Sequence, residues 1–418
     1  MNTFYHGDCL FVLKHDILPE AVDLIYLDPP FFTGKIQKGK WRPEAMEVSF
    51  EDSRQFWKEK GVSFHAPNWL KHIAIQRPDF ASYLYYMMER LQACHNVLKK
   101  TGSIYLHCDW RASHYLKMIM DEIFGAGNFR NEIVWCYAGG GIPKRDLPRK
   151  HDTIFRYTKS KDYVFNIQYR PYSEGTVQRG RTKIKGKYAE KGLRAEGTPI
   201  NSWWTDVTPI HSPTDYQNAG YPTQKPEALL ERIIKISSNE SDLVLDPFCG
   251  CGTTVIAASK LNRKFIGIDI DTSERKPGEL PTAFSVIKNR GHELFAQARY
   301  VTRDLSEVLE MNPKQFEDWV NEYFKAIKPY PDKGVDGITH DGIPIQVKTF
   351  EISYKVLSQF ITDAKYHPNV PQPIKKVMVV SQIGFDDGAR KRKFEIETAE
   401  NIEVVLTSPE EMLKLETA

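Results

Sequence analysis

Apolar residues recur along the chain with two different periods, and the changes of period mark its elements. Val22-Asp23-Leu24-Ile25-Tyr26-Leu27 is a short apolar run that stops at Asp28-Pro29-Pro30. Prolines cannot extend a strand ladder, so a buried strand is predicted to end there. From about Ser82 to Lys100, the residues Leu84, Met87, Met88, Leu91, Val97 and Leu98 fall at helical spacing. Thr101-Gly102 reads as the stop of that helix and Ser103–His107 as the next strand. Asn131–Tyr137 is a further strand candidate, closed by Gly139-Gly140-Gly141.

The same alternation returns near Tyr221. Thr223–Ser237 reads as a helix with Leu229, Leu230, Ile233 and Ile234 on one face. Strand Asp242–Asp246, helix Thr253–Leu261 and strand Lys264–Asp269 follow. Strands alternating with helices predict a parallel sheet with helices on both faces. Asp271–Pro281 is polar, carries two prolines and reads as a surface loop. After about Ser306 a second unit is expected: helix Pro313–Ile327, two strands around Asp336–Thr349, a helix, and strand Lys376–Ser381.

At 418 residues the chain is long enough for two or three domains, and 41% apolar with 27% charged residues is the balance of a globular protein. No apolar run reaches the length of a membrane span, and the start lacks a signal-peptide pattern, so the expected location is the cytoplasm. The six cysteines are scattered without zinc-knuckle spacing and are expected to be reduced thiols. The net charge of +3 says little, but its distribution says more. Between Gly139 and Gly197 stand 15 Lys and Arg against 6 Asp and Glu, an excess that suits a polyanion or, equally, a solvated basic loop.

Two strand ends carry candidate chemistry. Asp246-Pro247-Phe248-Cys249-Gly250-Cys251-Gly252-Thr253-Thr254 lies between a strand and a helix. Its glycines let a ligand approach the backbone, and the helix start offers unpaired N–H groups. Asp269 ends the next strand, where a carboxylate can accept from ribose hydroxyls. Glycine turns of this kind also occur without any ligand. Asp28-Pro29-Pro30-Phe31 is the second site. Prolines donate no hydrogen bond, so Asp28 and the Pro29 carbonyl can each accept one N–H of an exocyclic amine. Phe31 offers a ring for stacking on a base that has left its duplex. By itself, Asp-Pro-Pro could be only a turn.

Together these motifs resemble the amino-directed DNA methyltransferases with the permuted, β-type motif order. The catalytic Asp28-Pro29-Pro30-Phe31 comes first and the cofactor loop Asp246 to Gly252 comes later. Tyr221-Pro222-Thr223-Gln224-Lys225-Pro226 matches the segment that precedes that loop in the family, which places Thr223 and Lys225 beside the cofactor. His6-Gly7-Asp8-Cys9 matches the family's strand-end acid, which places Asp8 near the cofactor adenine. The resemblance covers residues 1 to 140 and 215 to 295. It implies a Rossmann-like, S-adenosylmethionine-dependent methyltransferase sheet of the α/β class. Catalytic residues would be Asp28, Pro29, Pro30 and Phe31. Asp8, Thr223, Lys225, Asp246, Phe248, Gly250, Gly252 and Asp269 would hold S-adenosylmethionine. Asp before Pro-Pro favours N6 of adenine over N4 of cytosine. A C5-cytosine enzyme would need a Pro-Cys nucleophile, and the chain has no Pro-Cys pair.

Beyond residue 306, Asp336 followed by Gln346-Val347-Lys348 resembles the restriction-endonuclease-like fold in its Mrr-like form. There Asp336 and Gln346 would bind magnesium, with Glu317 as upstream acid and Lys348 on the phosphate or the attacking water. A plain hairpin needs no metal, and a DNA-binding module without cutting activity fits as well. The expected domains are residues 1–138 (catalytic half), 139–214 (target-recognition region), 215–305 (cofactor half) and 306–418 (endonuclease-like). Double-stranded DNA is the implied partner, RNA the alternative. A membrane is not expected, a homodimer is left open, and a restriction–modification setting follows from the family.

Overall fold

Strands β1 (Thr3–His6) and β2 (Val22–Leu27) open the chain, joined by helix Cys9–His15. Asp8 caps that helix by accepting from the Leu10 N–H at 2.7 Å. A hairpin of β3 (Gln37–Lys40) and β4 (Glu47–Phe50) comes next. Helices Arg54–Lys60, Asn68–Gln76 and Pro78–Val97 lead into β5 (Leu98–Cys108), and helix Ser113–Met120 into β6 (Phe129–Cys136) and β7 (His151–Thr158). A short pair, β8 (Tyr169–Arg170) and β9 (Thr198–Pro199), precedes β10 (Trp203–Trp204). Helix Glu227–Ser237, β11 (Leu243–Asp246), helix Thr253–Lys260, β12 (Lys264–Asp269), helix Thr282–Arg290 and β13 (Arg299–Thr302) follow. This computed structural model describes residues 2–40, 47–138, 143–181, 193–210, 215, 217–270, 280, 282–303, 308–309, 311–324, 326–329 and 333–414. The expected turn at Gly139-Gly140-Gly141, nearly all of the loop 271–281, and the boundary at 306 lie outside them.

Nine strands form one sheet in the order β10-β6-β7-β5-β2-β11-β12-β1-β13. The ladders from β5 through β2, β11 and β12 to β1 are parallel, as expected. The sheet as a whole is mixed, because β7 runs antiparallel to both β5 and β6. That strand was expected inside the target-recognition region. It belongs to the main sheet, and Phe155 and Tyr157 are core residues of the first unit. Helix Pro78–Val97 covers one face and helices Glu227–Ser237 and Thr253–Lys260 the other. Leu24, Ile25 and Leu27 of β2 are fully buried between them, each contributing about 1.5–3 kcal/mol.

Element ends differ from expectation for local reasons. The long helix begins at Pro78, whose missing N–H costs nothing in a first turn. It ends at Val97, and Thr101-Gly102 lies within β5 rather than stopping the helix. Gly102 is needed there by close approach: a Cβ would stand 2.6 Å from Leu98 Cδ1 and 3.0 Å from the Asp23 carbonyl oxygen. Lys99 Nζ holds both Asp23 carboxylate oxygens at 2.8 Å, and the Leu243 N–H donates to Asp23 Oδ2 at 2.9 Å. One side chain thus ties β2 to both neighbours. The later helix starts at Glu227 instead of Thr223, because Thr223 takes a φ of 61° and Pro226 occupies the cap.

The chain divides into two units at Val301/Thr302. The second contains helix Pro313–Tyr323, which stops short of the expected Ile327 because Ile327 bridges to Ile338 instead. Strands β14 (Gly337–Ile338), β15 (Pro344–Lys348), β16 (Lys376–Ser381) and β17 (Glu403–Thr407) form its sheet in that order. The first pair is antiparallel and the rest parallel. Helix Tyr354–Tyr366 joins β15 to β16, and helix Asp387–Glu400 joins β16 to β17. Among the described residues no helix is long and apolar enough to cross a membrane.

Gly102→Ala should lower stability by about 1–3 kcal/mol through overpacking between β2 and β5. Gly127→Ala, where a Cβ meets nothing within 4 Å, is the control and should be near neutral. Calorimetric melting of both variants checks this, and equal melting temperatures would refute it.

Candidate active site

The carboxyl ends of β1, β2, β11 and β12 open on one cavity of about 260 Å³. Each strand delivers an acid: Asp8 two residues past β1, Asp28 just past β2, Asp246 ending β11 and Asp269 ending β12. Among the expected site residues, Asp8, Asp28, Pro29, Pro30, Phe31, Thr223, Lys225, Asp246, Phe248, Gly250 and Asp269 all line this cavity. Gly252 does not. It takes a φ of 77° at the cap of helix Thr253–Lys260, and a Cβ there would meet Ile287 Cγ1 at 2.6 Å. Its role is the turn and the packing beneath it. Asp336, Gln346, Glu317 and Lys348 belong to the second unit.

The glycine loop is braced from within. The Phe248 N–H donates to Asp246 Oδ1 at 3.0 Å, and the Gly250 N–H donates to Asp269 Oδ2 at 2.7 Å. Gly250 has a φ of 49°, and a Cβ would stand 3.2 Å from the Tyr221 ring. That backbone therefore forms the floor of a cradle too narrow for a side chain. Burial pushes Asp246 up to about 7, and the charges of Asp28 and Asp269 act in the same direction. Hydrogen bonds from Thr254 and Phe248 oppose the rise.

Asp8 was expected beside the cofactor adenine. Both its oxygens accept from Arg90 Nη2, at 2.7 and 2.6 Å, and Arg90 is almost fully buried with its guanidinium on the Tyr86 ring. Removing Asp8 would take from the buried Arg90 its bidentate carboxylate partner, a destabilising change. Lys225, expected on the cofactor side, donates to Asp28 Oδ2 at 2.5 Å and to the Thr223 carbonyl at 3.1 Å. Its ammonium also stands 5.2 Å from the Phe31 ring centroid. The lysine thus orients the carboxylate of the Asp28-Pro29-Pro30-Phe31 motif.

Several wall residues were not foreseen. Asp52 accepts from the Thr33 N–H at 2.6 Å, from Thr33 Oγ1 at 2.7 Å and from Trp57 Nε1 at 2.8 Å. This fastens the segment just after Phe31, at the expense of a buried carboxyl whose pKa burial raises. Tyr26 also lines the cavity, beside Tyr221 of the motif already noted, and His107 lies buried behind Asp28. The one signal available was that β5 was legible as a strand ending at His107, a partner for the strand ending at Asp28.

In the second unit, Asp336 Oδ2 accepts from the Val347 N–H at 2.7 Å and stands 3.5 Å from Lys348 Nζ. Burial raises its pKa. Gln346 Nε2 donates to the Gly334 carbonyl at 3.3 Å, while its buried Oε1 has no partner among the described residues. Glu317 is ion-paired to Lys328. No three His, Cys, Asp or Glu side chains gather as a metal cluster among the described residues.

A cavity outside the carboxyl ends of the strands, at a switch in chain order, is where open α/β sheets bind their ligands. Residues 22–276 match the DNA methylase family (N6_N4_Mtase), and the chain belongs to that family: it is a DNA methyltransferase of the N6/N4 group. It is 32% identical over 280 residues to the DNA adenine methyltransferase YhdJ of Escherichia coli, covering 66% of this chain and 81% of that protein. It is 35% identical over 195 residues to the type II methyltransferase M.HpaI of Haemophilus parainfluenzae, covering 46% and 57%. Against the type II methyltransferase M.BamHI of Bacillus amyloliquefaciens it is 28% identical over 276 residues, covering 66% and 56%. The chain thus spans little more than half the length of these last two. A DNA modification methylase of Thermus thermophilus, solved in complex with S-adenosyl-L-methionine, superposes with a TM-score of 0.44 at 16% identity, covering 72% of this chain and 98% of that one.

Asp246 gives a stability prediction. Its folded pKa of about 7 lies above the unfolded value of about 3.9, so the folded state holds the extra proton between them. Stability from this group is present below about pH 4 and falls as pH rises towards 7. Asp246→Asn removes that slope. Melting of the ligand-free variant and parent should therefore differ more in the variant's favour at pH 8 than at pH 5. A constant difference would refute the assignment.

Proposed function

We propose that the protein transfers a methyl group from S-adenosylmethionine to N6 of adenine in double-stranded DNA, with the permuted, β-type order of motifs. The observation that carries this is the placement of Asp28 and Asp246, more than two hundred residues apart, on one cavity. The cavity suits the cofactor: the Gly250 cradle excludes a side chain, and Asp269 and Asp246 are acceptors of the kind a ribose and an amino-acid group need. Asp8, Thr223, Phe248 and Gly250 complete that wall. The bound cofactor supplies an electrophilic methyl group on a sulfonium. Lys225 engages Asp28 Oδ2 and leaves Oδ1 for the target amine. The Pro29 carbonyl is the second acceptor and Phe31 the stacking ring. Aspartate ahead of Pro29-Pro30 and the adenine activity named for the E. coli relative favour adenine over N4 of cytosine.

The type II methyltransferases among the relatives support a restriction–modification setting. Residues 139–214 supply DNA contacts. Trp110, half exposed just past β5, carries Arg149 at 4.0 Å and Arg111 at 5.1 Å from its ring centroid, a cationic aromatic patch suited to DNA. Residues 306–418 of the second unit are the endonuclease-like domain. Asp336 and the unpartnered Gln346 Oε1 are oxygen ligands suited to magnesium, which would supply charge stabilisation at the phosphate. Lys348 would steady the phosphate.

DNA from cells expressing the protein should gain N6-methyladenine by mass spectrometry. A rise in N4-methylcytosine alone would reverse the base assignment. Asp28→Ala should abolish transfer while calorimetry still finds S-adenosylmethionine bound.

Purified protein with magnesium or manganese should nick unmethylated plasmid, and Lys348→Ala should not. Equal nicking by the variant, or none by the parent on methylated and unmethylated plasmid, would leave the second unit a DNA-binding module.

A further inference from the structure

Behind Asp28 lies a row of buried polar side chains that the roles given so far leave unused. Leu106 of β5 pairs with Leu27 of β2, so His107 stands level with Asp28 at the sheet edge. His107 has no exposed surface. Its Nε2 lies 3.2 Å from Asp152 Oδ2, and Asp152 Oδ1 accepts from the Tyr137 hydroxyl at 3.1 Å. On the other side Nδ1 lies 2.8 Å from the Tyr26 hydroxyl and 4.0 Å from Asp28 Oδ1. Phe31 and Trp135 close the sides, their ring centroids 5.5 and 5.8 Å from the imidazole.

The protonation of this row follows from its partners. Burial works to raise the pKa of Asp152, but the bond and charge of His107, the charge of Lys225 and the bond from Tyr137 together outweigh it and hold the carboxyl below its usual range. Burial pushes the Tyr26 phenol well above its usual range, so it keeps its proton. An ionised carboxylate can only accept, so Nε2 of His107 carries the hydrogen. In the neutral imidazole Nδ1 then presents its lone pair towards Tyr26 and Asp28. This is an imidazole oriented by a carboxylate, with its basic nitrogen aimed at the residue that holds the target amine.

We propose that Tyr26, His107 and Asp152 form a proton-receiving relay behind Asp28, which takes the proton that the target amine sheds on methylation. This rests on the assignment of Asp28 as the acceptor for that amine. The amine attacks with its nitrogen lone pair and gains an N–C bond, while the electrons of the broken C–S bond stay on sulfur. The nitrogen then has four bonds, a positive charge and two hydrogens. One leaves as a proton to Asp28 Oδ1, and Nδ1 of His107, 4.0 Å away, takes it in turn through one bridging water or once the pair closes to hydrogen-bond distance. Asp28 is again a carboxylate, and the imidazolium lies between Asp28 and Asp152. The Tyr26 hydroxyl turns from donor to acceptor at Nδ1. The proton passes to water when the product leaves. Without the relay it would remain on Asp28, which could then hold the next amine only as a neutral acid. His107 and Asp152 are positioning and proton-handling residues, because neither lines the cavity.

The test combines a spectroscopic and a kinetic reading on the full chain. Nitrogen NMR of histidine-labelled protein, without cofactor or DNA, should show His107 protonated at Nε2 and bare at Nδ1, and Asp152→Asn should change that pattern. A wild-type His107 protonated at Nδ1 would overturn the relay. Asp152→Asn and His107→Gln should lower the single-turnover rate roughly a hundredfold. Calorimetric affinity for S-adenosylmethionine and KM for duplex should stay within twofold. If either variant melts much earlier than the parent, Tyr26→Phe replaces it, and the same split is expected. Rates within twofold of wild type, with Asp28→Ala inactive, would overturn the relay alone. An active Asp28→Ala would overturn the assignment of Asp28 on which it stands.

Discussion

The ladder that joins β2 to β11 is the contact on which the site depends. Val244 pairs with Leu24 and Leu245 with Ile25, so the two strands end together. Asp28 and Asp246 share a cavity only because this register is held. A slip of one residue would turn every side chain of β11 to the other face. Both strands are buried on both faces, which makes such a slip costly, and Asp23 adds a polar lock by bonding Lys99 and the Leu243 N–H. Parallel pairing in a sheet needs crossover connections. The long insertion between β2 and β11 supplies room for them, and for β5, β6 and β7 besides.

The parts of this arrangement that were legible in the sequence are those written within a few residues. Asp28-Pro29-Pro30-Phe31 and the loop Asp246 to Gly252 each carry their own strand end and turn chemistry. Strands β2, β11 and β12 announce themselves as apolar runs, because a strand buried on both faces leaves no polar alternation. His107, Asp152, Asp52 and Arg90 were illegible for the opposite reason. Each acts on a residue from another element: Asp152 on His107 across the sheet, Arg90 on Asp8 from a covering helix. No local period encodes that pairing. The packing of the basic segment was illegible for the same reason. Phe155 and Tyr157 point into the core and make β7 a member of the main sheet, and even Arg156 between them is buried. Boundaries failed where a single backbone angle decided them, at Thr223 with its positive φ, or where a glycine stood for close approach, at Gly102.

In the second unit the hairpin before Lys348 was visible because its turn residues and alternating apolar positions are local. What periodicity could not give is the state of its polar groups. Asp336 is already engaged by the Val347 N–H, and Glu317 is paired with Lys328. Gln346 leaves a buried carbonyl oxygen without a partner among the described residues, which a stable core would ordinarily avoid.

Four carboxylates at one sheet edge repel one another, and the molecule answers each differently. Asp8 has the Arg90 guanidinium, Asp28 the Lys225 ammonium, and Asp269 the Gly250 N–H. Asp246 is bonded by Thr254 and Phe248, neither of which brings a full charge, and it takes up a proton at about pH 7 instead. A neutral Asp246 lets the other three stay close without a further cation inside the protein. A positively charged ligand entering the cavity would reverse this, drawing the proton off and gaining the attraction of a fresh carboxylate in a low-dielectric site. Of the four carboxyls, Asp246 is therefore the one whose charge answers to what enters the cavity.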